Sequence, residues 1–148
     1  MAERYVLDTS AIFAFTDNEE GADEVERLLE AARARQCVLD VCAISLMELA
    51  YITQREQDED KAARLIAVVK AWPVAWVYPD EKALLQAAKI KATHRLSVAD
   101  ALIAAVAKLS HAILVHKDPE FEALAAEVRL LSLPFKPALP PPGRPHGG

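Results

Sequence analysis

Short apolar runs alternate along this chain with longer stretches in which apolar residues recur at helical spacing. Tyr5-Val6-Leu7 is the first run, and it stops at Asp8-Thr9-Ser10. A short apolar helix over residues 11–15 follows, then the charged turn Asp17-Asn18-Glu19-Glu20-Gly21. In residues 22–35, Val25, Leu28, Leu29 and Ala32 share one helical face. Residues 37–41 predict a second strand, and the next helix carries Leu46, Met47, Leu49, Ala50 and Ile52. The acidic run 56–60 starts another helix, with Ala63, Leu65, Ile66 and Val69 as its buried positions. Acids in a first turn suit the helix dipole, so that run reads as solvated and structural. A third strand, 74–77, is bracketed by Pro73 and Pro79. Asp80 can cap a helix from Glu81 to about Thr93, and the loop 94–97 leads into the almost wholly apolar helix 98–109. Residues 112–115 form the fourth strand, Asp118-Pro119 opens a short helix as N-cap and first helical position, and 128–133 is the last strand.

Strands alternating with helices of this length indicate βαβ units and a parallel sheet. Crossover helices run back antiparallel to the strands, so strand ends and helix starts lie on one edge, where open α/β sheets bind ligands. Four acids fall on that edge. Asp8 closes the first strand and Asp118 follows the fourth, while Glu48 and Asp100 lie near the starts of apolar helices. Each also has an ordinary structural reading. Asp8 can start a turn or cap a helix. Ser45-Leu46-Met47-Glu48 matches a capping box, which leaves Glu48 open between cap and ligand. Asp118 before Pro119 is a good N-cap. Asp100 follows Ser97 in a similar box, but the helix beyond it is apolar nearly all round and therefore buried. An unpaired carboxylate there would be costly, which favours a functional role. Asp40 is a rival acid inside the second strand, of unknown orientation.

The totals narrow the setting. The chain has 148 residues, 53% hydrophobic and 26% charged, enough for one domain with a full core. That domain is expected over residues 1–133. Residues 134–148 hold six of the nine prolines and three of the four glycines and are expected to be disordered. The opening Met1-Ala2-Glu3-Arg4-Tyr5 has no apolar signal segment and no stretch reaches membrane-spanning length, so a cytoplasmic protein with no membrane partner is expected. Cys37 and Cys42 stand at the two ends of one strand, roughly 16 Å apart if extended, too far for a disulfide. The net charge of −5 argues against a general polyanion-binding surface but leaves nucleic acid open as a substrate.

Three or four carboxylates within a few ångströms repel one another and suit Mg²⁺ or Mn²⁺, which take oxygen ligands and retain waters. Such an ion activates water and can serve an in-line phosphoryl displacement. The acids alone do not separate nuclease from phosphatase, although Asp8-Thr9-Ser10 lacks the Asp-x-Asp of a phosphoaspartate phosphatase. Before residue 134 the only glycine is Gly21, which excludes a Walker A loop or a dinucleotide fingerprint. His94, His111, His116 and His146 are too scattered for a His-ligated metal. His94 and Arg95 could meet phosphate near Asp100 or, with Lys89 and Lys91, complement a helix C-terminus.

The motifs together resemble those of PIN-domain proteins, most closely the VapC-type ribonuclease toxins of VapBC toxin–antitoxin pairs. The resemblance is carried by Val6-Leu7-Asp8-Thr9-Ser10, by Ser45-Leu46-Met47-Glu48-Leu49-Ala50, by the Leu96-to-Ala105 block around Asp100, and by Leu114-Val115-His116-Lys117-Asp118-Pro119-Glu120-Phe121. It implies a three-layer α/β/α fold with a five-stranded parallel sheet of order 3-2-1-4-5. It further implies an Mg²⁺- or Mn²⁺-dependent endoribonuclease cleaving single-stranded RNA, with Asp8, Glu48, Asp100 and Asp118 as catalytic and metal-binding residues. A cognate antitoxin and a homodimer belong to the same implication, with a non-catalytic module binding RNA or protein as the alternative. His116 stands where the family often has Thr or Ser, which leaves open how Asp118 is hydrogen-bonded, and the proline-rich tail is outside the common pattern.

Overall fold

The structure is a computed structural model that describes residues 2–137. The chain opens with β1 (Glu3–Leu7), α1 (Thr9–Thr16), α2 (Ala22–Arg33), β2 (Cys37–Cys42), α3 (Ile44–Glu56) and α4 (Glu59–Lys70). It continues with β3 (Ala75–Val77), α5 (Glu81–Thr93), α6 (Val98–Leu109), β4 (Ile113–His116), a 3-10 helix (Pro119–Leu124) and β5 (Arg129–Ser132). The five strands pair in the order β3-β2-β1-β4-β5, all parallel. This is the expected sheet.

Central strands of a parallel sheet are covered on both faces, so their neighbouring residues pack into different layers. Val6, Cys42 and Leu114 join one core with Ala87 and Ile90 of α5 and the apolar residues of α6. Leu7, Val41 and Val115 join the other with α1, α2, Leu49 of α3 and Val69 of α4. Cys37 and Cys42 are free, buried and in different cores, which removes a disulfide from consideration. On α4, Leu65, Ile66 and Val69 face the core as expected, while Ala62 rather than Ala63 completes the inward stripe, because 62, 65, 66 and 69 keep helical spacing.

Asp40 pairs with Val6 across the sheet and faces the α5–α6 layer, where its Oδ2 accepts from Arg4 at 2.7 Å. It lines a crevice with Val106 and Leu109, at the opposite end of α6 from Asp100. The rival acid is thus a structural ion pair remote from the sheet edge.

The chain beyond β5 crosses that edge. Leu133 donates its N–H to His116 O at 2.8 Å and packs on Gly21. Gly21 has φ 101°, and a Cβ there would lie 3.0 Å from Leu133 Cβ, so position 21 needs glycine for backbone and space alike. Phe135 lies against His116 and Lys136 pairs with Glu19 at 2.8 Å. The tail expected to be disordered lies outside the described residues from 138 onward. Among the described residues, no helix is long and apolar enough to cross a membrane.

Candidate functional site

Asp8 follows β1 and caps α1. Its Oδ2 accepts the N–H of Ser10 at 2.9 Å and also the Ser10 hydroxyl. That hydroxyl in turn accepts the N–H of Lys117 at 2.8 Å, so the exits of the neighbouring strands β1 and β4 are tied together through Asp8. The other oxygen of Asp8, Oδ1, is buried and meets no hydrogen-bond partner. Cap and ligand are therefore compatible roles, one for each oxygen.

Glu48 is not a helix cap. α3 begins two residues earlier than the Ser45–Glu48 box requires, its N-cap is Ala43, and no side chain caps it. Ser45 is fully buried and bonds Thr9 Oγ1 at 2.8 Å, while Thr9 Oγ1 donates to Glu48 Oε1 at 2.7 Å. Thr9 has one hydroxyl proton, and it goes to Glu48, so Ser45 donates to Thr9. The capping-box reading fails because a residue distant in sequence takes both side chains.

Asp100 lies in the first turn of α6, where Ser97 caps the helix by accepting the Asp100 N–H at 3.1 Å. Asp118 caps the 3-10 helix, its Oδ1 accepting from Glu120 N–H at 2.9 Å. One carboxylate oxygen each from Asp100, Asp118 and Glu120 lies within 4.8 Å of the others. Glu120 is the acid that sequence reasoning missed. Its signal was the i, i+2 spacing in Asp118-Pro119-Glu120, which reads as the first turn of a helix and nothing more. His94, by contrast, serves its own helix end: Nδ1 lies 3.2 Å from Ile90 O and Nε2 3.4 Å from Glu127 Oε2.

All four expected acids line one cleft of about 250 Å³, together with Thr9 and Ser97. It adjoins a larger cleft of about 410 Å³ that shares Ser10, Phe13, Ile52 and Asp118 and extends to Lys117 and Lys136. Burial pushes the Asp8 carboxyl up to about 6 against the two Ser10 hydrogen bonds, with Glu48 and Asp118 adding repulsion. Burial also raises Asp100 to about 7, aided by the charges of Asp8, Asp118 and Glu48. A buried oxygen without a partner and mutually repelling carboxylates both gain from a hard cation, so the donor set fits a divalent metal ion.

The PIN-domain family model matches residues 5–127. The fold is similar to that of VapBC2 from Rickettsia felis, in a structure bound to a fragment of promoter DNA. There the TM-score is 0.71 at 17% identity, covering 88% of this chain and 99% of that one. DNA-bound VapBC from Salmonella typhimurium gives a TM-score of 0.70 at 20% identity, covering 89% of this chain and 98% of that one. VapC20 from Mycobacterium tuberculosis, described as a sarcin-ricin loop cleaving toxin, gives 0.65 at 20% identity over 84% of this chain and 96% of that one. No curated protein matches the chain.

Proposed function

Because the chain belongs to the PIN-domain family, we propose that it is a divalent-metal-dependent endoribonuclease acting on single-stranded RNA, the toxin of a toxin–antitoxin pair. One observation carries this reading: Asp8, Glu48, Asp100 and Asp118 come from four separate elements and line a single cleft. Packing alone gives no reason to gather four acids whose charges repel one another and add to the raised pKa values of Asp8 and Asp100.

Asp8, Asp100, Asp118 and Glu120 would hold Mg²⁺ or Mn²⁺, with Glu48 contributing from the lining of the same cleft. When bound, the ion neutralises phosphate oxygens and lowers the pKa of water to a useful range. The chain's own residues supply the positioning. Ser10 fixes Asp8, and Thr9 fixes Glu48 through Oε1, leaving Oε2 to take a proton from the attacking water. The adjoining cleft gives a single strand room to continue past the acids toward Lys117 and Lys136, both paired with Glu19 in a lining that also holds Asp17 and Glu56.

The VapBC structures with this fold support a separate antitoxin as partner. The proposal includes a homodimer, for which Leu84, Leu85 and Val98 leave apolar side chains available on α5 and α6. The test is incubation of purified, antitoxin-free protein with single-stranded RNA and Mn²⁺. We expect cleavage that chelation stops and that Asp100→Asn lacks. RNA binding without cleavage by the wild-type protein would favour a non-catalytic module.

A further inference from the structure

His116 is the last residue of β4, two positions before Asp118, and it is fully buried. Its Nδ1 lies 3.1 Å from the backbone N of Asp118, which donates to it. Its Nε2 lies 3.2 Å from Glu122 Oε2 and 3.1 Å from Ser132 Oγ, and the Ser132 hydroxyl donates to Glu122 Oε2 at 2.9 Å. A backbone N–H can only donate, so Nδ1 carries no proton, and the neutral ring carries its proton on Nε2. Glu122 and Ser132 are placed to receive that proton. Phe121 and Phe135 flank the ring, with centroids 5.1 and 5.9 Å away.

We propose that His116 is a positioning residue for the acidic site, locked as the Nε2–H tautomer by Glu122 and Ser132 so that Nδ1 fixes the backbone amide of Asp118. The consequence spreads because Asp118 Oδ1 holds the Glu120 amide in turn. Two of the three acids within 4.8 Å of one another are thus placed from one imidazole. Partners that orient metal-binding side chains are worth about 10–100-fold in metal affinity. That consequence rests on the proposed metal site, whereas the tautomer and the amide bond do not.

Two substitutions separate positioning from packing. His116→Phe keeps an aromatic ring against Phe121 but removes the acceptor, leaving the Asp118 amide unpaired. His116→Asn removes the ring but keeps an acceptor oxygen close to the Nδ1 position. Packing alone makes Asn the more damaging change, and positioning makes Phe the more damaging one.

The experiment is ¹⁵N NMR of the full metal-free chain, followed by Mn²⁺ binding measured by electron paramagnetic resonance. We expect the Nε2–H tautomer in the wild type, a result that needs no variant to fold. The Asp118 and Glu120 amides should exchange about tenfold faster or more in the Phe variant and stay protected in the Asn variant, tenfold corresponding to about 1.4 kcal/mol. Mn²⁺ affinity should fall about tenfold in the Phe variant and much less in the Asn variant. An Nδ1–H tautomer, or unchanged Asp118 and Glu120 amides in a folded Phe variant, overturns the proposal. If these readouts hold but the wild type binds no Mn²⁺, the metal reading fails and the positioning of Asp118 stands.

Discussion

Thr9 Oγ1 donates to Glu48 Oε1 at 2.7 Å, so the residue after Asp8 holds an acid from α3 in place. Thr9→Val keeps the shape and removes the donor. We expect a loss of about 1–3 kcal/mol in stability, the usual cost of stranding a buried polar group, and at least tenfold slower RNA cleavage. Urea titration and a cleavage assay on the same preparation check both.

Glu48→Gln separates charge from hydrogen bonding. A glutamine Oε1 still accepts from Thr9, so stability should stay within about 0.5 kcal/mol of wild type. Metal-dependent cleavage should be lost. A fully active glutamine variant would show that the Glu48 charge takes no part in the chemistry.

The raised carboxyls give metal-free stability a definite pH dependence. Asp8 at about 6 and Asp100 at about 7 both stand above their ordinary value of 3.8. A group whose pKa is raised by folding stabilises the fold fully below its unfolded pKa, and that contribution is lost as pH rises through the folded value. Between pH 5 and 8, chelator-treated protein should therefore lose stability from these two groups as pH rises. His116 acts in the opposite sense below about 6.5, because burial lowers its pKa. The comparison with Asp8→Asn/Asp100→Asn isolates the acids: thermal melts of the double variant should lack the downward component.

Arg4 and Asp40 supply a control remote from the cleft. Asp40 is 2% exposed and Arg4 43% exposed. Removing one partner of a buried pair costs about 3–5 kcal/mol, and the exposure of Arg4 places Arg4→Met at or below the low end of that range. Arg4→Met/Asp40→Leu should recover most of the loss. The metal-induced melting shift should be the same in the double variant as in the wild type.

Periodicity is a local signal, and the fold follows from it closely. The apolar stretch Val98–Leu109 is a helix over those residues, with every side chain from Ala101 to Ala107 buried, and Asp118-Pro119 opens a helical turn as its chemistry requires. The gathering of Asp8, Glu48, Asp100 and Asp118 was legible because strand ends and helix starts share an edge in any parallel sheet. The partners of each acid were not. Ser45 and Glu48 look like a capping box until Thr9, on another element, takes both. Glu120 joins the acids only because the turn after Asp118 is a 3-10 helix that brings it beside Asp100. Asp40 inside a strand could not be oriented without the register that sets it opposite Val6 and within reach of Arg4.

The central claim, that the acids gathered at the sheet edge form a cation site, is tested most directly by thermal melts of the metal-free protein across a Mn²⁺ titration. Binding to the folded state alone stabilises it by about 2.7 kcal/mol at free ion one hundred times the dissociation constant. We expect the melting temperature to climb with Mn²⁺ and the climb to vanish in Asp8→Asn/Asp100→Asn. No shift up to tens of millimolar, on the order of what a weak site of this type requires, or an equal shift in the double variant, would contradict the account.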